Sequence, residues 1–119
     1  MKIFNRIKKS DDFLVTIKKG KAYRCNEFTV HKYQTYLGYT RVGLSVSSKL
    51  GNAVVRNRIK RQLRAMCDSL LDYESSSIDI VIIVRSPFLQ GTYNSNKEHL
   101  FNLLNTQAGK KQWKEKQDL

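Results

Sequence analysis

The sequence predicts an α+β fold, a small mixed β-sheet with helices packed on it, in the order helix, three strands, helix, strand, helix. Three patterns carry that expectation. Thr40 to Val46 alternates, with Val42, Leu44 and Val46 on one face and Arg41, Gly43 and Ser45 on the other, as in a half-buried strand. Ile78 to Val84 is a near-continuous apolar run, which suits a central strand. Between them, Ile59, Leu63, Met66, Cys67 and Leu70 recur at helical spacing.

The first helix is expected from Ser10, which can cap free N–H groups, with Asp11 and Asp12 where the helix dipole favours acids. It carries Phe13, Leu14 and Ile17 and stops at Gly20, after Lys18-Lys19. Lys21 to Tyr36 favours strands, with Tyr23, Phe28, Val30 and Tyr33 prominent. Leu50-Gly51-Asn52 reads as a turn, and the second helix is expected from about Asn52 to Tyr73. After the apolar strand, Ser86-Pro87 acts as a breaker. Ser95 and Glu98 have capping-box spacing for a last helix with Leu100, Phe101, Leu103 and Leu104 inward and Gly109 as its stop. A single domain is expected over 1–119, with a core at about 4–105 and a basic tail at about 109–119.

Hydrophobic residues make up 40% of the 119, which suits a globular chain rather than a disordered one. No apolar run approaches the roughly 18–20 residues a membrane span needs. The basic start, Met1 to Arg6, leads into no apolar stretch of a secretory signal, so the expected compartment is the cytoplasm. Cys25 and Cys67 have no Cys or His at metal-ligand spacing and read as ordinary thiols.

Charge is the informative quantity. The net charge is +12, and residues 1–64 hold 16 of the 22 Lys and Arg but only 3 of the 10 Asp and Glu. Self-repulsion on that scale destabilises a fold unless a polyanion neutralises it. Nucleic acid is the first candidate and an anionic membrane the second.

The charge is densest at Arg56-Asn-Arg-Ile-Lys-Arg-Gln-Leu-Arg64, with five basic residues and no acid. On a helix, Arg56, Lys60 and Arg64 form one row at about 6 Å steps. Asn57 and Arg61 lie beside it, and Arg58 points further round. The apolar stripe fills the neighbouring sector, so the helix can dock while presenting guanidinium groups to phosphates. A solvated helix face normally mixes signs, because opposite charges at i,i+4 support the helix. This one does not. Arg6-Ile-Lys-Lys9 with Lys18, Lys19 and Lys21 adds a second basic surface. Interleaved aromatics, Phe13, Tyr23, Phe28, Tyr33, Tyr36 and Tyr39, suit either core packing or stacking on single-stranded RNA.

The segment from Arg41-Val-Gly-Leu-Ser-Val-Ser-Ser-Lys-Leu-Gly-Asn through Ala-Val-Val-Arg-Asn-Arg-Ile-Lys-Arg-Gln-Leu-Arg64 resembles the signature of the bacterial ribonuclease P protein family. Arg56-Asn57-Arg58 is its hallmark, and Arg6-Ile-Lys-Lys-Ser-Asp-Asp-Phe13 is similar to that family's start. The resemblance implies an accessory subunit of a catalytic RNA that uses Mg²⁺, with no catalytic residue and no intrinsic cofactor in this chain. The holoenzyme would remove the 5′ leader of precursor tRNA. Lys49, Asn52, Arg56, Asn57, Arg58, Lys60, Arg61 and Arg64 would face the catalytic RNA. Lys8, Lys9, Phe13, Ile17, Phe28 and His31 would line a cleft for the leader. Ile17 and His31 stand where relatives often carry aromatics, and Ser48 where they usually carry a base. No membrane and no obligate protein partner is implied. The family's fold resembles a ribosomal-protein domain with an unusual left-handed β-α-β crossover.

Two other functions stay open. An intrinsic nuclease needs clustered carboxylates or paired acid–base groups. The ten acids here are scattered, and only His31 and His99 could serve as imidazole catalysts. A structural, ribosomal-type RNA-binding protein would share the composition and fold class.

Overall fold

The computed structural model describes residues 1–106, so the expected tail and the expected stop at Gly109 lie outside the described residues. A short 3₁₀ turn at Ile3–Asn5 leads to α1 (Ser10–Lys19), β1 (Lys21–Arg24), β2 (Phe28–Gln34) and β3 (Arg41–Ser45). A second 3₁₀ turn at Ser48–Leu50 precedes α2 (Ala53–Leu70) and β4 (Ile78–Val84). A third at Ser86–Gln90 precedes α3 (Tyr93–Asn105). The fold is α+β, as expected. No described helix is long and apolar enough to cross a membrane.

The four strands lie in the order β1-β2-β4-β3. β1 with β2 and β2 with β4 are antiparallel, while β3 with β4 is parallel, so the sheet is mixed. The apolar strand β4 is central, and its Ile80 and Ile82 are buried because both neighbours and both faces are covered. On one face α2 and α3 close the main core: Phe28, Val30, Val42, Ile80, Ile82 and Val84 meet Ile59, Leu63, Met66, Leu100 and Leu103. On the other face lies α1.

Several local expectations shift. Ser10 opens α1 but does not cap it; the N-cap is Lys9, with no side-chain hydrogen bond. Gly20 is the α1 C-cap, but in an extended rather than a left-handed conformation (φ −74°); glycine is needed there because an added Cβ would lie 2.7 Å from the Lys32 carbonyl oxygen. Asn52 is the α2 N-cap, accepting from the Val55 N–H at 3.0 Å, but α2 ends three residues before Tyr73. The last capping box is Thr92 with Ser95, not Ser95 with Glu98, so α3 starts one turn earlier. Its Phe101 points outward, because one residue past Leu100 is about 100° round the helix.

Candidate nucleic-acid interface

The α2 stripe of Ile59, Leu63, Met66 and Cys67 is buried, which turns the remaining surface of the helix outward. Asn57, Arg58 and Arg61 are exposed, and Arg56, Lys60 and Arg64 are half-buried on the flank beside the stripe. Arg56 donates from Nε to the Gly51 carbonyl at 3.2 Å, which orients its guanidinium at the start of the helix. Lys49 is exposed in the preceding turn. Asn52 is present at the same end, but its side-chain oxygen is engaged in capping.

The flank does not end at the helix. A recess of about 130 Å³ joins Lys60 and Arg64 to Arg6, Val42, Gly43, Leu44 and Phe13. Arg6 reaches it because it bridges to Val42 in parallel, and the Ile7 N–H donates to the Val42 carbonyl at 3.0 Å. That extra pairing covers part of the outer edge of β3. The recess therefore links the cationic helix on one side of the sheet to Phe13 on the other.

Strand register defines the second surface. The α1 face carries three cross-strand rows: Tyr33, Asp79 and Arg41; then Ala22, His31, Val81 and Gly43; then Arg24, Thr29, Ile83 and Ser45. α1 is anchored over the first row. Arg41 donates to both Asp79 oxygens at 2.9 and 2.6 Å and to Asp12 of α1 at 3.3 Å. The Asp79 hydrogen bonds hold the guanidinium more firmly charged than usual. Asp12 is thus a clamp on the sheet. Phe13 lies directly on Gly43, where no side chain intervenes. Ile17, half-buried, follows one turn on.

Beyond α1, the third row crosses all four strands over about 14 Å, three inter-strand spacings, with Arg24 exposed, Ile83 and Ser45 half-buried and Thr29 buried. His31, in the second row, is buried, with its Nδ1 lacking a hydrogen-bond partner among the described residues. Burial first, and the Arg24 charge second, lower its affinity for a proton. Arg85, just past the end of β4, donates to the Thr29 hydroxyl at 3.0 Å. Lys8 and Lys9 are exposed just before α1.

One expected groove residue is elsewhere. Phe28 is fully buried in the main core, edge-to-face with Phe88 at 5.7 Å between ring centres. Phe28 and His31 are three residues apart on one strand, so they point to opposite faces. That parity was present in the sequence. Arg24, Gly43, Thr29 and Arg85 were not singled out as groove residues, because their convergence depends on register. Among the described residues no three of His, Cys, Asp and Glu converge as a metal site.

A family model described as Ribonuclease P matches residues 1–108. A ribonuclease P protein component of Bacillus cereus is 44% identical over 104 residues, covering 87% of this chain and 90% of that protein. The solved structure of the Staphylococcus aureus RNase P protein is similar at a TM-score of 0.76 and 36% identity, covering 84% of this chain and 92% of that one. The RNase P protein of Thermotoga maritima gives a TM-score of 0.75 at 30% identity, covering 87% and 98%. With the matching fold and the Arg56-Asn57-Arg58 helix, these similarities place the chain in the ribonuclease P protein family.

Proposed function

We propose that this chain is the RNA-binding subunit of a bacterial ribonuclease P, and that it helps a catalytic RNA remove the 5′ leader of precursor tRNA. The observation that carries the reading is the continuity of the two surfaces. The α2 flank of Arg56, Lys60 and Arg64 runs through the recess at Arg6 to Phe13 on the α1 face of the sheet. A duplex or folded RNA would lie on α2, where Arg forks bind phosphates two hydrogen bonds at a time. An unpaired strand leaving it would enter the groove and stack on Phe13. Such a chain positions RNA and takes no proton or nucleophile role, and it would work in the cytoplasm.

Among the described residues no three His, Cys, Asp or Glu side chains gather where they could hold a metal ion. Asp12 and Asp79 share Arg41, and Asp68 is engaged with the Met1 amine and the Tyr73 hydroxyl. We therefore assign the Mg²⁺ of the reaction to the RNA subunit and derive no step through it here.

Reconstitution tests the reading. Added protein should enhance cleavage of precursor tRNA by the catalytic RNA at low Mg²⁺, and the enhancement should exceed that on a leaderless competitor's binding. No enhancement would refute it. Cleavage by the protein without any RNA subunit would instead favour an intrinsic nuclease.

A further inference from the structure

We propose that the open edge of β1 is a docking site for an extended acidic segment of another protein, which adds a fifth strand to the sheet and seats one large apolar side chain against α3. The site is separate from the RNA-facing helix. β1 and β3 are the two ends of the sheet, about 14 Å apart, and the recess that adjoins α2 lies at β3.

Among the described residues no strand pairs with the outer side of β1. Register fixes which groups face out. Cys25 donates to the Phe28 carbonyl at 2.9 Å, so Cys25, Tyr23 and Lys21 turn their N–H and C=O groups toward β2. Ala22 and Arg24, at the alternate positions, turn theirs away from it, and both residues are exposed. Two donors and two acceptors thus stand along the edge in strand geometry. An extended peptide satisfies both kinds by adding a strand. Phosphate oxygens accept from N–H groups but have nothing to donate to the outward carbonyls.

A cavity of about 400 Å³ lies beside this edge, on the α3 side, lined by Ala22, Tyr23, Cys25, His99, Asn102 and Leu103 among others. Tyr23 and Cys25 pack against the main core and give it an apolar floor. A strand paired with β1 turns alternate side chains to that side, so one of them enters the cavity. Charge selects the occupant. Lys18, Lys19, Lys21 and Arg24 are exposed at this end of the sheet, and among the described residues none has a carboxylate within ion-pair distance. Two of the four β1 residues are cations and none is an acid. Pairing β1 with β1 of a second copy therefore crowds four cations onto one ribbon, which opposes self-association. An acidic strand meets no such barrier.

The probe is a capped peptide with glutamate at every other position and threonine, phenylalanine and threonine between, titrated into the full-length chain. A version with lysine in place of glutamate is the control. The glutamate peptide should protect the Ala22 and Arg24 amides from hydrogen exchange, and the lysine version should not. Ala22→Pro removes an outward N–H and no bond to β2. It should weaken the glutamate peptide about fivefold, the worth of one hydrogen bond. Lys21→Glu combined with Arg24→Glu should invert the preference between the two peptides, which decides the matter even where proline strains the strand. No binding, protection confined to the α2 amides, or a preference unmoved by the charge reversal overturns the proposal. A uridine oligonucleotide that protects the same two amides makes the edge an RNA site, and a dimer in sedimentation that Ala22→Pro dissolves makes it a contact between copies. Either result overturns the acidic-strand reading.

Discussion

Gly43→Ala probes the contact on which the groove depends. An added Cβ would lie 2.4 Å from Phe13 Cε2, 2.9 Å from Cζ and 3.1 Å from Cδ2. Carbon atoms prefer about 3.5–4.0 Å, so the ring must retreat by about 1 Å. Overpacking of this kind costs about 1–3 kcal/mol. Phe13 is half-buried and lines the recess at Arg6, which leaves its ring room to move, so we expect the low end, about 1 kcal/mol. In a Phe13→Ala background the same methyl meets no ring. Alanine in a strand interior is then favoured over glycine by about 0.5–1 kcal/mol, and the effect changes sign. The double-mutant cycle should give a coupling of about 1.5–2 kcal/mol. Urea midpoints of the four proteins at unchanged m-value measure it. Binding of precursor against mature tRNA gives the functional readout. Gly43→Ala should weaken leader discrimination in the same direction as Phe13→Ala. If Gly43→Ala costs the same in both backgrounds, the ring does not rest on Gly43 and the groove geometry is wrong.

Arg61→Ala and Arg64→Ala should each flatten the salt dependence of RNA-subunit binding by about 0.7–0.9 in log–log slope; an unchanged slope for both would move the interface off α2. Asn52→Ala removes the cap on the Val55 N–H and should cost about 1 kcal/mol of stability while leaving the salt slope as it is. Unchanged stability with a lower RNA affinity would instead make Asn52 a direct RNA contact. Burial lowers the Lys32 ammonium to about 8 from 10.5, so between those values the unfolded chain keeps a proton that the folded chain has shed. Stability should therefore rise from about pH 8 toward 10, and Lys32→Met should abolish the rise. The phenols of Tyr23 and Tyr73, both raised by burial, turn the trend over at higher pH. A flat wild-type profile would mean that the Leu104 and Thr106 carbonyls, which accept from Lys32 at 2.5 and 2.8 Å, offset the burial.

The sequence alone determined the elements and the cationic helix. Periodicity is a local property: the α2 stripe places Arg56, Lys60 and Arg64 on one flank whatever the helix packs against, and Asn52 caps its own helix three residues away. The run Ile78–Val84 is apolar on both faces but for Asp79, which suits a central strand. The groove was legible only in part. Phe13 and its neighbours could be named from the resemblance, but Phe28 was assigned to the cleft against strand parity and lies in the core instead. The alternation Phe28-Thr29-Val30-His31, apolar then polar, already puts Phe28 and His31 on opposite faces of β2. What tertiary structure decided was register. Arg41 meets Asp79 across 38 residues, Gly43 receives Phe13, and Arg24, Thr29 and Arg85 converge only once β1, β2, β4 and β3 are aligned. Non-local pairing depends on which side chains meet across strands, and a one-residue slip would send each of them to the opposite face.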